Sequence, residues 1–234
     1  MRAPLLIAAA QPACTAKDVR ANAREHARVI RAARARLVVF PELSLTGYEL
    51  DAEVVSPDDE QLGAIVAACA EMESVALVGA PVQGEAGMVH IGMLRGSSAG
   101  VEIVYRKSHL GGDEPARFAP GDGSVAIDLD GWRVGLGICK DTGVEQHITD
   151  AAALELDLYV AGLVHRPEEL AMQEDRGLGI ACACRAYVAF ASFAGPTGGG
   201  FDQTAGGSSI WAPDGRPLGR AGVEPGDFTR ALLT

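Results

Sequence analysis

A chain of 234 residues, 48% of them hydrophobic, can bury one sizeable core, and no linker-like stretch divides it. Its formal charge of −11, from 20 basic and 31 acidic residues, argues against nucleic acid or anionic membrane as a partner, because no basic run exceeds Arg106-Lys107. Five cysteines without metal-type CxxC spacing fit free thiols in a reducing, cytoplasmic setting, and no apolar run is long enough for a membrane helix.

In chain order, "LLIAAA" is too short for the apolar core of a signal peptide and reads as a first buried strand. Thr15-Ala-Lys-Asp18 is a capping-box variant that predicts a helix through "VRANAREHARVIRAARAR", residues 19–36. "LVVF" (37–40) follows as a buried strand, and Ser56-Pro57-Asp58-Asp59 predicts a second helix to about Met72. "VALVGA", "MVHIGMLR" and "VEIVYRK" read as three strands separated by Gly-containing turns, and Asp130-Gly131 as the turn of a hairpin between "SVAIDLD" and "RVGLGIC". A helix over 145–156, the strand "LDLYVAGLV", a helix over 167–185 and the strand "YVAFASF" complete the alternation. "GSSIWAPDGRPLG" then reads as strand, turn, strand. Strands alternating with helices, plus hairpins, predict one mixed-sheet α/β domain over residues 1–234.

Three strands end on groups that can do chemistry, at the position where open α/β sheets place ligands. "LVVF" runs into Pro41-Glu42, "VEIVYR" into Lys107, and "VGLGI" into Cys139. Taken singly, Glu42 and Lys107 read as solvated loop charges and Cys139 as a small buried hydrophobe. Together they place a carboxylate, an ammonium and a thiol at one rim. Cys182 and Cys184, two apart, fall on different sides of a helix and do not suggest a shared metal.

The blocks "VVFPELSLTGY" (38–48), "YRKSHLGGDEPARFAPG" (105–121) and "VGLGICKD" (134–141) resemble, in order and spacing, the three motif blocks of the nitrilase superfamily, carbon–nitrogen hydrolases with a Glu-Lys-Cys triad. The resemblance runs from "AAAQPA" to "GGSSIWAPDGRPL". It implies a four-layer α/β/β/α sandwich in one domain, copies paired as a homodimer or other homo-oligomer, and no metal or cofactor. It implies Cys139 as nucleophile, Glu42 as the base that takes its proton, and Lys107 with the backbone N–H of Lys140 as oxyanion donors. Glu114 would orient the lysine and substrate, and amides after Asp141-Thr142-Gly143 would favour the thiolate.

Around that triad, Tyr48 reads either as a pocket wall or as a packed loop aromatic. The Lys140 side chain reads either as a group favouring an acidic substrate or as a solvated lysine, and His165 either as a pocket wall or as an exposed histidine. "GPTGGGFDQTAGG" reads as a mobile loop near the site, since it lacks the Lys-Ser/Thr of a phosphate loop. The chain departs from the family in Val144-Glu145-Gln146 and Ala183-Cys184, and it stops soon after "FTRALL". The activity implied is cysteine-dependent hydrolysis of a small linear amide, with acyl transfer to an amine or an inactive scaffold as alternatives.

Overall fold

The computed structural model describes residues 3–234; Met1 and Arg2, within the 1–234 span assigned from sequence, lie outside the described residues. The first half contains β1 (Leu5–Gln11), α1 (Val19–Ala33), β2 (Leu37–Val39), α2 (Gly63–Met72), β3 (Val75–Gln83), β4 (Val89–Ser97) and β5 (Gly100–Arg106). The second contains β6 (Val125–Leu129), β7 (Trp132–Ile138), α3 (Glu145–Ala153), β8 (Leu158–Leu163), α4 (Leu170–Cys184), β9 (Tyr187–Ser192), β10 (Ala194–Thr197) and β11 (Phe201–Ala205). β12 (Ser209–Trp211), β13 (Pro217–Arg220) and β14 (Asp227–Leu233) close the chain.

Twelve of these strands form two six-stranded mixed sheets, ordered β14-β1-β2-β3-β4-β5 and β13-β12-β9-β8-β7-β6, and β10 pairs with β11 alone. Strand parity decides the layering, because successive side chains point to opposite faces. Leu5, Ile7 and Ala9 of β1 join Leu158 and Val160 of β8 in the core between the sheets. Ala8 and Ala10 pack instead with Ala23, Val29, Ile30 and Ile65 of α1 and α2. On the far side, Tyr159, Ala161 and Leu163 pack with Ile180 and Ala181 of α4. The result is an α/β/β/α sandwich.

Several boundaries differ from the sequence reading. Asp18, not Thr15, caps α1 through the Ala21 N–H, and the helix stops at Ala33 because Arg34 turns left-handed at φ +47°. Asp59, not Ser56, caps the second helical segment, which begins as a short 3-10 turn over 60–62. The terminal residues 227–233, unassigned from sequence, form β14 and pair antiparallel with β1 in the register Leu5↔Leu233. Asp130 (φ +52°) and Gly131 (φ +78°) make the expected hairpin turn, both in the conformation a two-residue primed turn requires.

Candidate active site

β2 lies between β1 and β3 and ends at Val39, so the chain leaves the sheet at its C-terminal rim carrying Glu42. Two glycines permit the path. A methyl group at Gly79 of β3 would stand 2.3 Å from the Leu43 backbone nitrogen, and one at Gly162 of β8 would stand 2.8 Å from that of Glu42. The loop is tied from behind by His26, whose Nδ1–H donates to the Asn22 carbonyl at 2.6 Å and whose Nε2 accepts from the Ser44 hydroxyl at 2.8 Å. Asn22 Nδ2 donates to the Leu45 carbonyl at 2.9 Å.

Burial lowers the His26 pKa from 6.5 to about 4. A value depressed on folding means that the stability is fully present above the unfolded pKa and is lost as pH falls from 6.5 toward 4. Between pH 7.5 and 4.5 the wild type should therefore lose about 2–3 kcal/mol more than His26→Gln, measured by urea unfolding at both pH values. Equal losses in the two proteins would remove His26 as the cause.

Lys107 follows β5, is 1% exposed, and sits between two carboxylates. Its ammonium donates to Glu42 Oε1 at 2.6 Å and to both oxygens of Glu114 at 2.7 and 2.8 Å. Glu114, 2% exposed, also accepts from the Gly111 N–H at 2.8 Å and the Tyr48 hydroxyl at 2.9 Å. Glu42 Oε2, by contrast, is buried without a hydrogen-bond partner. Burial drives the Glu42 pKa well above the usual carboxylate range, opposed by Lys107 and reinforced by charge on Cys139 and Glu114. Burial works against the Lys107 charge too, but the surrounding negative groups outweigh it and its pKa rises.

Cys139 terminates β7 in a left-handed conformation, φ +38°, which an L-residue holds only when its surroundings enforce it. The enforcement is visible. Asp141 accepts from the Ile138 N–H at 3.0 Å, the His109 N–H at 2.8 Å and the Tyr105 hydroxyl at 2.8 Å, while Thr142 Oγ1 donates to the Cys139 carbonyl at 2.7 Å. Asp141→Ala leaves those three donors without their acceptor and should cost on the order of 3 kcal/mol by urea denaturation, with Asp141→Asn restoring part. A loss within 0.5 kcal/mol of zero would show that water replaces the carboxylate, roughly the ordinary spread for surface changes.

The sulfur donates toward the Val164 carbonyl at 3.4 Å and stands 3.7 Å from His165 Nε2. Burial raises its pKa, with Lys107 acting against that rise. The expectation that helix amides favour a resting thiolate is corrected here. The segment 139–143 is a single 3-10 turn, and α3 begins only at Glu145.

These groups line a cavity of about 360 Å³ together with Lys140, Arg176 and Phe201. The structure thus brings Glu114, Lys107, Cys139, Tyr48 and His165 together, with Glu42 held on Lys107. His165, 4% exposed, is not the exposed histidine that the sequence also allowed. Lys140 lies exposed at the rim, beside Gly111.

The segment read as a mobile loop is instead the hairpin β10–β11, tied to Gly47 by Thr197 Oγ1 and the Gly198 N–H, both at 2.8 Å. It sets the Phe201 ring edge-on to Tyr48 at 5.5 Å. Sequence reasoning also passed over Gln173 and Arg176, which share one face of α4 three residues apart. His109, Asp141 and His147 bring ligand-type atoms within 4.8 Å of one another. Each is already engaged by protein: Asp141 as above, and His147 by Ser124 Oγ and Tyr159 Oη.

The sequence model described as "Carbon-nitrogen hydrolase" matches residues 6–232. A protein of Pseudomonas protegens described as "Hydrolase in pqqF 5'region" is 30% identical over 226 residues, covering 88% of this chain and 75% of that protein. An "(R)-stereoselective amidase" of Pseudomonas sp is 28% identical over 199 residues, covering 80% of this chain and 69% of that protein. Among solved structures, Saccharomyces cerevisiae Nit3, a member of branch 10 of the nitrilase superfamily, superposes with a TM-score of 0.87 at 20% identity. The match covers 98% of this chain and 90% of that one.

Proposed function

Because the chain belongs to the carbon–nitrogen hydrolase family, enzymes that cleave non-peptide carbon–nitrogen bonds, we propose that it hydrolyses a small linear amide through a thioester on Cys139. The observation that carries this reading is one ammonium held between two buried carboxylates beside a thiol. No separate structural need explains burying three such ionisable groups, since a buried pair is weak evidence for stability.

In this reaction Glu42 is the general base, its unpartnered Oε2 being the oxygen free to take a proton. The sulfur bonds to the amide carbon, the carbonyl electron pair moves onto oxygen, and Lys107 with the backbone N–H of Lys140 stabilises that oxygen. The oxyanion pair then re-forms the carbonyl, and the carbon–nitrogen bond breaks as the abstracted proton passes to the departing nitrogen. Ammonia or an amine leaves, and water activated by the regenerated Glu42 carboxylate frees the acid. Glu114 holds Lys107 in place and fixes the Tyr48 hydroxyl, while Tyr48 and His165 form pocket wall. The Lys140 stem lies along the rim, where it favours substrates with an acidic group. The open cavity suits a compact substrate.

We assign the whole span 1–234 to this one catalytic domain, working in a reducing, cytoplasmic setting as a homo-oligomer without metal or cofactor. The free thiols support the compartment. No described helix is long and apolar enough to cross a membrane. The test is ammonia release over a series of short aliphatic amides at a fixed enzyme concentration. Turnover of at least one of them supports the reading, and none across the series overturns it.

A further inference from the structure

The contacts of the Cys139 sulfur do not point to Glu42. They point to the second sheet, to the Val164 carbonyl and to His165 Nε2. A carbonyl accepts a hydrogen bond but cannot take up the thiol proton at neutral pH. An imidazole lone pair can.

Whether Nε2 carries that lone pair follows from the groups behind the ring. Gln173, fully buried, donates through Nε2 to the Gly206 and Gly207 carbonyls at 3.2 and 3.4 Å. Its amide oxygen therefore faces His165 Nδ1 at 3.0 Å, and an oxygen there accepts the Nδ1–H. With the proton fixed on Nδ1, the neutral ring presents its lone pair on Nε2, toward the sulfur. Burial keeps the ring in that neutral form, with Arg176 acting in the same direction and the Gln173 hydrogen bond against it. Arg176 Nη1 approaches the same lone pair at 3.5 Å, a long contact that is given up when a proton arrives.

We propose that His165 is a catalytic residue, a second proton acceptor on the Cys139 thiol in addition to Glu42. The proposal rests on Cys139 being the nucleophile. The Sγ–H bond breaks as Nε2–H forms, and the sulfur electron pair bonds the amide carbon while the carbonyl pair moves to oxygen. On collapse the carbon–nitrogen bond breaks, and Nε2–H passes its proton to the departing nitrogen, returning the ring to neutrality. Glu42 can share the first transfer and retains the water step. Gln173 acts through the ring as a positioning residue.

Site-resolved alkylation with iodoacetamide, followed by mass spectrometry, reads the thiol without a substrate. At pH 7.5, His165→Ala should slow modification of Cys139 by about tenfold or more, as expected on losing a positioned base. Added imidazole should restore part of that rate by entering the vacated space. The His165→Ala/Glu42→Gln double variant should be slower than either single variant.

The other thiols serve as internal references. Cys182, exposed, should react equally in all proteins, and the buried Cys69 should stay protected if the fold is intact. If Cys69 becomes reactive in His165→Ala, His165→Asn carries the same reading in a folded chain. A Cys139 rate within twofold of wild type in the folded variant, or no response to imidazole, would overturn the proposal. Failure of the amide series to release ammonia counts against the hydrolase reading alone, because the alkylation comparison does not depend on it.

Discussion

Cys139→Ala removes ammonia release from every amide the wild type accepts and leaves the urea midpoint close to wild type. The first part follows from the chemistry, since no neighbouring group can form the acyl intermediate in place of the sulfur. The second follows from position. The left-handed turn is held by Asp141 and Thr142, neither of which bonds the sulfur. Losing a nucleophile typically costs on the order of 10⁶ in kcat, against the residual catalysis that binding and oxyanion donors supply alone. Parallel assays of ammonia release and unfolding on one preparation check both halves. Activity near wild type would reject the thioester, and loss of folding would place Cys139 in the structure rather than the chemistry.

Lys107→Met is the second large effect, and it acts on rate and stability together. As an oxyanion donor the ammonium should be worth about 2.7–4 kcal/mol in the barrier, or 10² to 10³ in kcat. As the cation between Glu42 and Glu114 it also compensates buried charge, and removing one partner of a buried pair costs about 3–5 kcal/mol. The sign with pH separates this from a packing defect. Without Lys107 the Glu42 pKa rises further, and a carboxyl raised on folding contributes stability below its unfolded pKa that is lost as pH rises through the folded one. The variant should therefore be least deficient near pH 5 and most deficient near pH 8. Urea unfolding across that range reads the trend, and a deficit independent of pH would reject the charge argument.

What could be read from the sequence was local. Each of the three motif blocks carries a buried strand and the residues that follow it within one contiguous stretch, so Glu42, Lys107 and Cys139 stand out at strand ends, and the family resemblance adds Glu114. The capping residues were harder. Thr15 and Asp59's neighbour Ser56 both suit a cap, but the Thr15 N–H is taken by Asn22 Oδ1, and Ser56 Oγ accepts only from Asp58.

The end of α1 carries no glycine to mark it, because an arginine adopts the left-handed position. β14 escaped notice because its side chains, "DFTRALL", interleave charge with apolar groups along a half-exposed edge. The glycines of 195–200 suggested mobility, whereas Gly199 and Gly200 supply the positive φ of a hairpin tip. Gln173 and Arg176 could not be singled out at all, since an arginine on a helix is ordinarily solvated and only the docking of α4 brings these two to His165.

The division of the site between two sheets bears on the order in which the molecule assembles. Glu42 and Lys107 follow strands of one sheet, and Cys139 and His165 follow strands of the other. Their meeting requires loops of many tens of residues to close, the slow, non-local part of folding. A nascent or half-folded chain with either sheet formed alone therefore holds Cys139 without Glu42 and without the ammonium. The chain becomes chemically competent at the moment its two layers dock.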